Sequence, residues 1–198
     1  MKSSSQKIFS LSVIKTALIL LLITGITVAL LAAVNFVTSP VIAENEKAET
    51  SKLIKTMFGD AEFDEITSQV QYALDEYTQI VYQVYNGDEV EGFAIKTVPN
   101  GFGGAVEMLV GINADGTVCG VRILSDSETA TKSRPVKEES HLGQYIGKSG
   151  KLAFTDAGGE IEAVSGSTVT STAVLNGVNS ALQTYKSFIA SAYEGGDI

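Results

Sequence analysis

Gln79-Ile80-Val81-Tyr82-Gln83-Val84-Tyr85-Asn86-Gly87 is the stretch that decides the fold. Seven residues rich in β-branched and aromatic side chains favour a strand, and they run into Asn-Gly, the dipeptide best suited to a two-residue hairpin turn. Residues 91–98 return as the partner strand. Pro99-Asn100-Gly101-Phe102-Gly103-Gly104 then makes a glycine-rich loop. Residues 105–112 and 117–124 form a second hairpin around Ala114-Asp115-Gly116. Strands joined by tight turns pair antiparallel, so the pattern predicts an antiparallel sheet of at least four strands. Such a sheet needs a cover for its apolar face. Residues 170–192 supply a helix on which Val174, Val178, Leu182, Tyr185 and Ile189 recur at steps of three and four, with Leu175 and Ala181 beside them. The class is α+β, a single antiparallel sheet packed by helices.

Just before that helix stands Glu162-Ala163-Val164-Ser165-Gly166-Ser167-Thr168-Val169. Two chemistries suit small hydroxyl residues and a glycine at a helix start. They can cap free N–H groups, which is the common outcome and binds nothing. They can also cradle an anion, because the unpaired N–H groups and the positive end of the macrodipole attract phosphate. Local chemistry leaves both open. The stretch lacks the Gly-Lys-Ser/Thr of a nucleotide-binding P-loop and the Gly-x-Ser-x-Gly of a nucleophile elbow.

Ser165-Gly166-Ser167-Thr168, with Glu162 three positions ahead and Thr170-Ser171 behind, resembles the flavinylation motif of FMN-binding domains. These domains occur in the G subunit of Rnf electron-transport complexes and the C subunit of sodium-translocating NADH:quinone reductases. Ser167 stands where the family usually has Ala, and Glu162 where it has Asp. Gly101-Phe102-Gly103-Gly104-Ala105-Val106, an apolar strand, Asp115-Gly116 and a second strand resemble the family's Gly-x-Gly-Gly run and hairpin. Glu128-Thr129 sits where the family has Glu-Thr-Pro-Gly near the flavin ring, with Ala130-Thr131 replacing Pro-Gly. The resemblance implies FMN esterified through its phosphate to Thr168, installed by a flavin transferase with FAD as donor. It implies Ser165, Gly166, Ser167, Val169 and Thr170 around the phosphate, and Gly103, Gly104, Glu128 and Thr129 near the ring. It further implies an electron-carrier subunit of an ion-translocating ferredoxin–NAD oxidoreductase, not catalytic alone, whose partners are the other membrane subunits. Two rival expectations stand beside it: a flavinylated carrier in another respiratory or extracellular chain, and an anchored non-redox binding or assembly domain in which Thr168 is only a helix N-cap.

Residues 16–37 form an uncharged run of 22 residues rich in Leu, Ile, Val and Ala. At 1.5 Å per residue it reaches across a hydrocarbon core about 30 Å thick. It exceeds the usual apolar run of a cleaved signal peptide, for which Val41-Ile42-Ala43 would offer a site. Lys2, Lys7 and Lys15 precede it, and basic flanks stay in the cytoplasm. The expected organisation is a cytoplasmic N-terminus at 1–15, a transmembrane helix at 16–38, a helical and acidic connector at 39–78, and an extracytoplasmic FMN-binding domain at 79–198. In the connector Leu53, Ile54, Met57 and Phe58 make one apolar face, while 59–75 is acidic without a readable pattern.

Past residue 39 the chain holds 11 basic and 23 acidic residues. That balance argues against nucleic acid as a partner. Single residues of Cys (Cys119) and His (His141) exclude an intramolecular disulfide, a four-cysteine cluster and a His/Cys zinc site within the chain. Cys119 reads as a small buried hydrophobe and His141 as a surface loop residue. The chain carries no nicotinamide-binding fingerprint.

Overall fold

The computed structural model describes residues 2–127 and 130–195, with side chains described over 13–127 and 133–188. By its internal contacts the chain divides into two compact units, Met1–Glu49 and Thr50–Ile198. Helix α1 is Lys2–Phe58, with Pro40 inside it.

In the first unit the apolar side chains of α1 are exposed on every side; Leu21 is 69% exposed and Leu31 65%. An 18-residue window reaches a mean hydropathy of 2.8 with none of it buried. Water-soluble helices bury one stripe, whereas a helix that is apolar all round suits lipid. The hydroxyls of Thr24, Thr27 and Thr38 donate to the carbonyls of Leu20, Ile23 and Val34, which satisfies them without water. This helix is a candidate membrane span by length and composition.

The second unit is built on a five-stranded antiparallel meander in the order β1 (Glu62–Glu65), β2 (Thr78–Asn86), β3 (Glu89–Thr97), β4 (Val106–Asn113) and β5 (Val118–Asp126). Strands β2 to β5 stand where the sequence pattern puts them, within a residue or two. β1 lies in the acidic stretch that gave no pattern. Three of its four residues are charged because it is an exposed edge strand, where charge blocks further pairing. Its pairing runs from Glu62 opposite Tyr85 to Glu65 opposite Tyr82.

Both faces of the sheet are covered. On one, Val106, Met108, Val110 and Ile112 of β4 meet Val174, Val178, Ala181 and Leu182 of helix α4 (Thr168–Gly195) in the main core. This is the helix the stripe predicts; the side chain of Ile189 lies outside the described residues. On the other face, Ile54 of the last turns of α1 is fully buried with Ala61, Val84, Ala94 and Leu109, and Leu53, Met57 and Phe58 pack around them. Gly92, Gly111 and Gly120, on three adjacent strands, make the trough that receives Met57 and Phe58.

Helices α2 (Ala130–Lys137) and α3 (Glu139–Leu142) follow β5. His141 on α3 is buried, not at the surface as the sequence suggested: its ring meets Tyr145 edge-on at 5.8 Å. Burial lowers its pKa, opposed by a smaller pull from the Glu162 backbone. The unfolded chain therefore binds the imidazole proton more readily, so this contribution to stability is present above about pH 6.5 and declines as pH falls below it. The melting temperature should drop between pH 7 and pH 5, and His141→Phe should flatten that slope. An unchanged slope in the variant would remove His141 as its cause.

Cys119 sits at an irregularity of the β4–β5 pairing, half-buried with its Sγ beside Gly111. Burial pushes its pKa up to about 11, so the thiol is protonated and unreactive at neutral pH.

Candidate functional site at the start of helix α4

The segment from Ile161 to Thr168 is short of regular structure but densely fixed. Ile161 is fully buried and bridges to Phe154. The Gln144 side-chain carbonyl accepts the Glu162 N–H at 2.7 Å. Val164 N–H donates to the Ser171 hydroxyl at 3.1 Å, and Ser167 N–H to the Val164 carbonyl at 3.0 Å. The last bond closes a turn with Gly166 at φ +76°, a left-handed position natural to glycine. Gly166 thus has a structural requirement independent of any ligand.

The first helical bond runs from Ser171 N–H to the Ser167 carbonyl at 2.9 Å. Ser167 therefore occupies the N-cap position, and Thr168 is the first residue inside the helix. This corrects the expectation of Thr168 as a cap. α4 begins two residues earlier than the apolar stripe indicated, because the turn at Gly166 delivers the chain directly into the helix.

The cap and the candidate tether differ in exposure. Ser167, Thr170 and Ser171 are buried, whereas Glu162, Ser165, Gly166, Thr168 and Val169 are exposed. Of Thr170 the site can use the backbone N–H but not the buried side chain. Among the described residues no partner hydrogen-bonds the Thr168 hydroxyl, while its carbonyl accepts from Thr172 at 2.8 Å. The arrangement suits a phosphate: an uncommitted hydroxyl projects beside first-turn N–H groups that have no intrahelical acceptor. Ser171, not among the predicted contacts, supports it from inside. Ser171→Ala should strand the Val164 N–H and cost about 1 kcal/mol, read as a fall of a few degrees in melting temperature; an unchanged melt would show that water replaces the bond.

The direction of α4 places this site. Gly177 lies against Thr97 and Met108, near the β3–β4 loop, whereas Tyr185 reaches Ala114 and Gly116 at the β4–β5 turn. Extending the helix back from Gly177 carries Thr168 about 13 Å further toward the β3–β4 end. At that end Gly101 N–H donates to the Gly104 carbonyl at 2.7 Å, closing a tight loop with Phe102 exposed. A Cβ on Gly104 would meet Ser127 at 2.9 Å, and Ser127 N–H donates to the Ala105 carbonyl. Gly103 and Gly104 therefore share one end of the sheet with Thr168 and with the chain entering Glu128 and Thr129. Those last two residues lie outside the described residues.

A groove of about 690 Å³ flanks the later turns of α4, lined by Asp75, Tyr77, Asp115, Asn176, Gln183 and Lys186 among others, and includes none of the predicted site residues.

Residues 101–183 match the FMN-binding domain family, and residues 1–57 match the RnfG N-terminal region. The chain is 33% identical to the G subunit of the Na(+)-translocating ferredoxin:NAD(+) oxidoreductase complex of Acetobacterium woodii, over 88% of this chain and 92% of that one. The chain belongs to the RnfG family. It is also 27% identical to the G subunit of the proton-translocating ferredoxin:NAD(+) oxidoreductase complex of Clostridium ljungdahlii, over 89% of this chain and 92% of that one. A more distant relative is the G subunit of the ion-translocating oxidoreductase complex of Methanosarcina acetivorans, at 24% identity over 87% of this chain and 94% of that one. The FMN-binding match spans the glycine-rich loop, β4, β5 and the start of α4.

Proposed function

We propose that this RnfG-family chain is an electron-carrier subunit of an ion-translocating ferredoxin:NAD oxidoreductase complex, with FMN held covalently on Thr168. The observation that carries the reading is the presentation of Thr168: an exposed, uncommitted hydroxyl on a fixed helix start, within an FMN-binding domain. In maturation by a flavin transferase, Thr168 Oγ bonds to the FMN-side phosphorus of FAD. The pyrophosphate bond breaks, AMP leaves, and the hydroxyl proton is released.

A bound FMN supplies the one- and two-electron chemistry that the side chains lack. The protein's own part is tethering and orientation. Thr168 anchors the phosphate, and the N–H groups of Val169 and Thr170 and the exposed Ser165 and Gly166 surround it. Ser167 is buried at the N-cap position, where its carbonyl accepts the first helical bond. Gly103 and Gly104 would give the ring a close approach to backbone, and Glu128 and Thr129 would be its further contacts.

Residues 1–15 lie in the cytoplasm in this reading, 16–38 cross the lipid, 39–78 lead into the sheet and give it β1, and 79–198 carry the flavin outside. A covalent tether fits that side of the membrane, where a dissociated cofactor is lost. Other membrane subunits of the complex supply and remove the electrons.

The deciding experiment is the intact mass of the full chain from a host containing the transferase, paired with in-gel flavin fluorescence after denaturing electrophoresis. A gain of one FMN less water, mapped to the peptide holding Thr168, is expected. A chain of unmodified mass would overturn the covalent reading.

A further inference from the structure

We infer that Gln144 is a positioning residue for modification at Thr168, acting through the backbone of Glu162; the inference rests on the covalent reading above. Residues 150–167 form a long irregular connection held near both ends by side-chain amides. Asn179 accepts from Leu152 N–H at 2.8 Å and donates to the Leu152 carbonyl at 2.9 Å. Gln144 does the same for Glu162, accepting its N–H at 2.7 Å and reaching its carbonyl at 3.5 Å. In each case a carboxamide stands in for a neighbouring strand.

The two clamps differ in what lies beyond them. Asn179 belongs to α4 and fixes the connection to the helix it enters. Gln144 belongs to the turn 143–145, which is tied to β5: Gly147 N–H donates to the Val118 carbonyl and Val118 N–H to the Lys148 carbonyl, both at 2.8 Å. Two bonds that support the loop from Val164 onward, Val164 N–H to the Ser171 hydroxyl and Ser167 N–H to the Val164 carbonyl, are local to the loop and α4. Gln144 therefore links the exposed end of the motif to the sheet.

The Gln144 amide nitrogen is also 3.3 Å from His141 Nδ1, and the His141 ring packs on the buried Tyr145. This fixes the orientation of the carboxamide from behind. The exposed Glu162, six residues ahead of the exposed Thr168 in sequence, is thereby braced through its backbone before any enzyme arrives. Pre-ordering of this kind raises the fraction of encounters in which Thr168 Oγ meets the FAD phosphorus; the AMP-releasing step itself is unchanged.

The test is a time course of flavin addition to the purified, unmodified full chain with transferase and FAD, followed by intact mass. Gln144→Met keeps the side-chain length and removes the hydrogen bonds to the Glu162 backbone and to His141. Its initial rate should fall about threefold to tenfold, with final occupancy still one FMN on Thr168 and the circular dichroism unchanged. Gln144→Glu keeps the acceptor for the Glu162 N–H and should recover most of the rate, a rescue that general loosening would not give. Wild-type modification with Gln144→Met equally fast overturns this inference alone, as do equally slow Met and Glu variants. A wild-type chain that gains no flavin mass overturns the covalent reading and this inference with it.

Discussion

Thr168→Ala should give a folded, membrane-associated chain with no covalent flavin. The loss should be complete, because the N–H groups of the first turn can attract a phosphate but have no oxygen to esterify it. Stability should change little. Thr168 is exposed at the first position of α4, and its bond to Thr172 uses the backbone carbonyl, which alanine keeps. A surface change of this kind lies within about 0.5 kcal/mol, or about 2 °C for a domain of this size. Thr168→Ser should retain the label, since it preserves the hydroxyl and loses only a methyl and some χ1 restriction. Ser165 is the informative control, being an exposed hydroxyl three residues ahead of Thr168. Flavin mass persisting in Thr168→Ala and mapped to Ser165 would move the attachment point. Flavin persisting on neither residue's peptide would remove the site from this loop altogether.

The sequence made the sheet readable where side chains had to alternate or run apolar against a core, as in β2 to β5 and the stripe of α4. It was silent at β1, whose Glu62, Asp64 and Glu65 face solvent along an edge and so carry no burial pattern. It was silent again at α2, a polar segment interrupted by Pro135. The exposed part of the site could be read from residue types, since a hydroxyl on a helix start is a local property. Its supports could not. Gln144 and Ser171 act through hydrogen bonds to backbone atoms 18 and 7 residues away in sequence, and no spacing rule joins them. His141 misled because a lone histidine beside charged residues reads as surface, whereas the short α3 turns it onto Tyr145. The cap assignment moved by one residue for a similar reason: which of Ser167 and Thr168 faces inward depends on the turn at Gly166.

A large loss of stability is expected at Gly92. A Cβ there would stand 2.2 Å from the Ile112 carbonyl oxygen, 2.9 Å from Phe58 and 3.0 Å from the Asn113 Cα. Two of these three obstacles are backbone of the neighbouring strand, so Gly92→Ala must push β3 away from β4 in the middle of the sheet. Overpacking that the backbone cannot absorb costs about 3 kcal/mol, a fall of about 6–12 °C in the melting temperature of the full chain in detergent. Gly120→Ala lies in the same trough but meets only the side chain of Met57, at 3.0 Å and beyond. That unbranched side chain can move aside, so about 1 kcal/mol is expected. The two sites should also respond differently to relief. Met57→Ala should recover part of the Gly120→Ala loss, a favourable coupling of about 0.5 kcal/mol or more. Phe58→Ala should recover little at Gly92, because the carbonyl of Ile112 remains. A Gly92→Ala chain that melts within about 2 °C of wild type would mean that β3 and β4 separate freely, and the trough would then be no constraint on how the end of α1 meets the sheet.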